Sequence, residues 1–98
     1  FQPHTFSRTK ALFEEFSQCF KSADLVIITK IYASAREKDD PQISSKMLVN
    51  NLLKEQKNVV YRETLNEVVE YLKGQLKPED IVITMGAGDI YEIHEKFK

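Results

Sequence analysis

The chain has a single cysteine, no hydrophobic run longer than four residues and no surplus of basic charge. One thiol cannot close an internal disulfide, which fits a reducing compartment. Cys19 stands at helical spacing from Leu12, Phe16 and Ala23, so it is expected as a packed core thiol rather than a nucleophile. The longest aliphatic run, Leu25-Val26-Ile27-Ile28, falls far short of the ~20 residues that cross a bilayer. Nor does the start read as a basic stretch followed by an apolar one and a cleavage site. A net charge of -1, with both signs interspersed, argues against nucleic acid as a partner, because neutralising phosphates takes a clear Lys/Arg excess. A soluble, cytoplasmic protein with neither a membrane nor a nucleic-acid partner is the expectation.

Catalytic signatures are missing as well. There is no G-x-x-x-x-G-K-[ST] loop, no G-x-S-x-G elbow and no carboxylate cluster for magnesium. His4 and His94 have no Cys or carboxylate at metal-ligand spacing, so no metal site is expected. At 98 residues the chain is one domain, residues 1–98, small for a complete enzyme that must also enclose a nucleotide.

What is present alternates between two periods. Phe13, Phe16 and Phe20, with Leu12 beside them, predict an amphipathic helix from about Ser7 to Lys21 with Ser7 as N-cap. Leu25 to Thr29 reads as a strand covered on both faces, and Ile31 to Gln42 as an exposed, mobile loop. Ser44 or Ser45 caps a helix to about Gln56 that turns Met47, Leu48, Leu52 and Leu53 inward. Asn58 to Tyr61 is a short strand. Leu65, Val68, Val69, Leu72 and Leu76 mark the clearest helix. After a turn at Lys77–Asp80, Ile81 to Met85 reads as another buried strand. Asp89 then caps a last helix carrying Ile90, Ile93 and Phe97, with His94 half-buried on its face. Strands alternating with helices imply right-handed crossovers, hence a Rossmann-like α/β fold: a mostly parallel sheet with helices on both faces. Phe1-Gln2-Pro3-His4 reads as the tail of a strand, as in an excised piece of a longer chain.

Three polar segments fall where strands end: Phe1 to Thr9, Tyr32 to Glu37, and Met85-Gly86-Ala87-Gly88-Asp89. In open α/β sheets that edge is where ligands bind. Arg8 suits a carboxylate or phosphate through its planar fork, although exposed arginines at helix starts are commonplace. Tyr32 and Arg36 sit in a loop after a strand, where function is often carried. Gly86 and Gly88 allow backbone N–H groups to approach an anion near a helix start. Against an anion site, the G-x-G-x-x-G pattern is incomplete at Tyr91 and Asp89 repels negative charge, so a tight turn capped by Asp89 is the simpler reading.

Taken together, Phe1-Gln2-Pro3-His4-Thr5-Phe6-Ser7-Arg8-Thr9, Ile31-Tyr32-Ala33-Ser34-Ala35-Arg36-Glu37 and Thr84-Met85-Gly86-Ala87-Gly88-Asp89-Ile90 resemble the C-terminal domain of the Mur ligase family, nearest to its alanine-adding branch. The resemblance implies the third domain of a three-domain ligase of peptidoglycan synthesis. In such a ligase an N-terminal domain holds UDP-N-acetylmuramate, and a central domain carries the phosphate loop and most contacts to ATP and Mg. L-alanine is the third substrate, joined through an acyl phosphate. This domain would close over the other two, its partners, and be inactive alone.

By the same resemblance His4, Arg8 and Tyr32 would bind substrate, whereas Gly86, Gly88 and Asp89 would shape the loop near the cleft. No residue here is implied as catalytic or metal-binding. Many relatives carry a second arginine directly after the histidine; this chain has Thr5 there. A D-Y-x-H-H-P segment of the family is absent. The competing reading from the residues alone is a free-standing, non-catalytic α/β ligand-binding or interaction module, and a third is a ligase adding another amino acid.

Overall fold

The sheet can be built outward from Val26-Ile27-Ile28, whose side chains are apolar on both parities. In the computed structural model, which describes residues 1–97, these three residues form strand β1 (Val26–Ile28). It pairs in parallel with β2 (Val59–Tyr61), in the register Val26 to Val59, Ile27 to Val60 and Ile28 to Tyr61. Parallel neighbours need a crossover, and α3 (Ser45–Leu52) supplies it. On one face Val26, Ile28 and Val59 pack with Leu48, Val49 and Leu52 of α3, and Phe13, Phe16 and Phe20 close the cluster. On the other face Ile27 meets Val68, Val69 and Leu72 of α4 (Leu65–Gln75) together with Ile90 and Ile93. The strand is thus sandwiched, and each fully buried aliphatic side chain contributes about 1.5–3 kcal/mol. Helices on both faces of a parallel sheet are the expected α/β architecture.

The helix starts follow local chemistry. Ser44 is the cap of α3, its hydroxyl accepting from the Met47 N–H at 3.2 Å. Ser45 is instead buried, its hydroxyl donating to the Thr29 carbonyl. α4 opens with a capping box: Thr64 Oγ1 accepts from the Glu67 N–H at 3.1 Å, and Glu67 Oε2 accepts from the Thr64 N–H at 3.0 Å.

Several expectations need correction. The single helix from Ser7 is two, α1 (Phe6–Ala11) and α2 (Phe13–Gln18), separated at Leu12. The cap of α1 is Thr5, not Ser7. The Thr9 and Ser17 hydroxyls donate back to the carbonyls of Thr5 and Phe13, bonds of a kind that bend helices. With the break at Leu12, α1 is tied to its cap at Thr5 and α2 places Phe13 and Phe16 against the core. Met47 and Leu53 point outward from α3, where Leu48, Val49 and Leu52 fill the inner face. Cys19 is exposed, its thiol directed at the Phe16 carbonyl.

Residues 81–85 form no strand among the described residues. Val82 packs on the α4 side, but Ile81 and Ile83 are 84% and 72% exposed. The physical reason is one-sided cover: the phenylalanine and α3 layer does not reach this segment. Its one backbone bond to the opening segment runs from the Gln2 N–H to the Met85 carbonyl, 2.9 Å. The last helix, Ile90–Phe97, is a 3₁₀ helix that buries Ile90 and Ile93 and leaves Phe97 39% exposed.

Candidate functional site

Residues 1–5 are laid along the end of β1 by backbone bonds. The Thr29 N–H donates to the Phe1 carbonyl, the Tyr32 N–H to the Pro3 carbonyl and the Thr5 N–H to the Tyr32 carbonyl, at 3.1, 2.8 and 2.9 Å. His4 and Tyr32 therefore form a parallel bridge, and their rings stack with centroids 5.8 Å apart and planes 17° from parallel. His4 Nδ1 is buried and lacks a hydrogen-bond partner among the described residues. An orphaned buried ring nitrogen is costly unless something else satisfies it.

The glycine loop presses against the same pair. A Cβ on Gly88 would lie 2.6 Å from Tyr32 Cγ and 2.7 Å from Gln2 Oε1, so only glycine fits without movement. Gly86, at φ +152°, brings its Cα to the Gln2 carbonyl, which a Cβ would meet at 2.8 Å. Asp89 does not cap the last helix with its side chain as expected. Its Oδ1 accepts from Gln2 Nε2 at 2.7 Å, and the first helical N–H, that of Ile90, donates to Gln2 Oε1 at 3.2 Å. The capping group arrives from the other end of the chain because buried Gln2 already fills the space before the helix.

Arg8 lies in the first turn of α1, exposed, its backbone N–H held by Thr5 Oγ1 at 3.2 Å. Among the described residues its guanidinium has no acidic partner. Thr5 takes φ 59°, a conformation uncommon for a β-branched residue and of a kind that concentrates at functional sites. The structure thus sets His4 and Gly88 each against Tyr32, and the Arg8 backbone is held by Thr5, next to His4. Asp89 and Gly86 join beneath, through Gln2.

Two contributors escaped the sequence reading. Glu37 accepts from the Phe6 and Ser7 N–H groups and so seals the start of α1. The Ser7 hydroxyl and the Phe6 amide hold its carboxyl below the usual carboxylate range, helped by the Ser7 amide and nearby His4. The loop expected to be mobile is thereby tied to α1, and again where Lys10 Nζ donates to Gln42 Oε1 at 2.7 Å. Gln2 is the other. Neither announces itself locally, since their partners are 31 and 87 residues distant.

Beyond Tyr32 the strand ends open into a crevice of about 460 Å³ bordered by Phe6, Lys30, Asp40, Lys46, Tyr61 and Glu63. It carries both charges at the carboxyl ends of β1 and β2, the position expected for ligands in this fold. A second depression of about 520 Å³, lined by Arg62, Asn66 and Tyr71 on the α4 side, contains none of the site residues, and Arg62 there is engaged over the Tyr71 ring at 4.4 Å. His94 is exposed rather than half-buried, its Nε2 3.0 Å from Thr84 Oγ1. The Cys19 thiol has its pKa raised by partial burial, so it has no activated thiolate. No group of three or more His, Cys, Asp or Glu able to hold a metal occurs among the described residues, and none of their helices is long and apolar enough to cross a membrane.

Comparison with known proteins gives the family. Residues 2–88 match the family described as "Mur ligase, glutamate ligase domain". The chain belongs to the Mur ligase family. It is 54% identical over 97 residues to a UDP-N-acetylmuramate–L-alanine ligase of Caldanaerobacter subterraneus, covering 99% of this chain and 21% of that protein. The enzyme of the same name from Acetivibrio thermocellus is 50% identical over 97 residues, covering 99% and 20%. That from Desulfitobacterium hafniense is 48% identical over 93 residues, covering 95% and 21%. The chain spans about a fifth of the length of these relatives. The resemblance carried by the three motifs is therefore borne out, and with it the mixed α/β fold of a Mur ligase C-terminal domain.

Proposed function

We propose that this chain is the C-terminal domain of a longer, cytoplasmic ATP-dependent ligase that joins L-alanine to UDP-N-acetylmuramate in peptidoglycan synthesis. The observation that carries the reading is the 54% identity to an alanine-adding ligase across 97 residues, running through all three strand-end motifs. In the proposed reaction the muramate carboxylate attacks the γ-phosphoryl group of ATP and ADP leaves. The neutral alanine amine attacks the acyl phosphate and gives up a proton, the tetrahedral intermediate collapses, and inorganic phosphate leaves with its bonding electron pair as the amide forms.

This chain's share is binding and orientation. Arg8, without an acidic partner among the described residues, is available to hold a carboxylate or developing negative charge through paired N–H donors. His4 is half-buried beside it, and Tyr32 fixes the imidazole by stacking. The mixed charges of the adjoining crevice suit a zwitterionic amino acid. The glycine loop does not fit ATP or Mg: the first helical N–H is already taken by Gln2, and Asp89 belongs to the same knot. ATP and Mg are accordingly assigned mainly to the central domain of the intact ligase, and UDP-N-acetylmuramate to its N-terminal domain.

Two measurements test this. Purified alone, the chain makes no UDP-N-acetylmuramoyl-alanine and hydrolyses no ATP; either activity refutes the division of labour. The longer polypeptide that contains it turns over ATP only when both alanine and UDP-N-acetylmuramate are supplied. Turnover with another amino acid instead moves the chain to a different branch of the family.

A further inference from the structure

Gln2 is 5% exposed and packs beneath the glycine loop of the candidate rim. Its side chain works in two directions at once. Nε2 donates to Asp89 Oδ1 at 2.7 Å and Oε1 accepts from the Ile90 N–H at 3.2 Å, while its own N–H donates to the Met85 carbonyl. These three bonds span both ends of the glycine loop. Gly88 is then pressed between Gln2 Oε1 and the base of the Tyr32 ring, and Tyr32 stacks on His4. The chain of contacts runs Gln2, glycine loop, Tyr32, His4 without a gap. Only an amide meets both demands, because Asp89 requires a donor and Ile90 an acceptor, and an ionised carboxylate only accepts.

We propose that Gln2 is a positioning residue that locks the 86–89 loop under Tyr32 and so fixes the orientation of the His4–Tyr32 pair toward substrate. The catalytic consequence rests on the ligase reading above; the mechanical coupling does not.

The test exchanges donor and acceptor. Gln2→Glu leaves Asp89 without a donor and sets two carboxylates against each other, which disfavours the charged pair. In Gln2→Glu combined with Asp89→Asn, the introduced carboxylate accepts from both the new amide and the Ile90 N–H, restoring the bond between residues 2 and 89 with reversed polarity and keeping that from Ile90 unchanged. The first readout is the proton NMR shift of the His4 ring, which the face of Tyr32 displaces. In the 98-residue chain, Gln2→Glu moves it toward its unstacked value, and the double variant returns it. The second readout is steady-state kinetics in the longer ligase. There Gln2→Glu lowers kcat/KM for alanine about tenfold or more, as loss of a charge-assisted bond does, with KM for ATP unchanged. The double variant recovers to within about twofold of Asp89→Asn alone, the pattern of a direct contact in a mutant cycle.

An unmoved His4 signal in Gln2→Glu overturns the coupling. So does a double variant no better than Gln2→Glu, a criterion that holds even when the single variant folds poorly. Ring shifts that follow the cycle in a longer protein lacking alanine-dependent turnover support the coupling and sink the ligase reading instead.

Discussion

One substitution, made at two glycines, should act with opposite sign. Gly74 sits inside α4, and a Cβ there meets nothing within 4 Å. Alanine at that position only restricts the unfolded chain and favours the helix, a gain of about 0.5–1 kcal/mol. At Gly88 the same methyl falls 2.6 Å from Tyr32 Cγ. That atom is at the root of the ring, on a residue whose backbone is bonded to Pro3 and Thr5, so the ring cannot simply swing clear. The other neighbour, Gln2 Oε1, is flexible but bonded to Ile90. Forcing a methyl into such a contact costs about 1–3 kcal/mol. For a domain of this size each kcal/mol moves the melting temperature by roughly 4–8 °C. Thermal denaturation followed by circular dichroism should therefore show Gly74→Ala melting a few degrees higher and Gly88→Ala roughly 10 °C lower than the parent. In the longer ligase Gly88→Ala should also depress kcat/KM for alanine. A Gly88→Ala protein that melts with the parent and keeps the His4–Tyr32 stack would show that the glycine is dispensable and the loop not packed as described.

Replacing Arg8 by Ala should leave the melting temperature within experimental scatter, since the side chain is exposed and unpaired, yet reduce kcat/KM of the longer ligase about tenfold or more; unchanged kinetics remove Arg8 from the site. The Glu37 cap gives a pH dependence with a definite sign. Its carboxyl pKa is depressed in the folded chain, so the cap's contribution is full above the ordinary carboxylate value and is lost as pH falls through the lowered one. Hydrogen exchange at the Phe6 and Ser7 amides should accordingly lose protection in that acidic window, and Glu37→Gln should show weaker protection that no longer varies there. At α4, Thr64→Ala removes half of a capping box and should cost about 1 kcal/mol, read as a drop of several degrees in the melt; a neutral result refutes the cap's contribution.

The fold was legible where apolar period and strand parity agreed. Val26 and Ile28 against Ile27 already stated that β1 is covered on both faces, and Leu65, Val68, Val69 and Leu72 named the inner face of α4. Ile81 to Met85 misled because composition reports the capacity to be buried, while burial depends on which layers extend far enough to cover a segment. Leu12 misled for a related reason: three phenylalanines at helical spacing say nothing of a cap at Thr5 or of the break at Leu12 before them. The Thr64–Glu67 spacing was a readable signal that went unread.

For the site, the visible residues were those whose chemistry stands out, namely His4, Arg8, Tyr32 and the two glycines. What holds them was not visible. A glutamine and a glutamate look like ordinary solvated residues until the fold sets Gln2 beside Asp89 and Glu37 at the start of α1. Both contacts join segments that β1 and its neighbours bring together, so they exist only after the sheet has formed. The consequence is that rim geometry and domain stability share the same bonds. Variants that loosen Gln2 or Glu37 should therefore disturb orientation at His4 and Tyr32 before they unfold the core around Ile28.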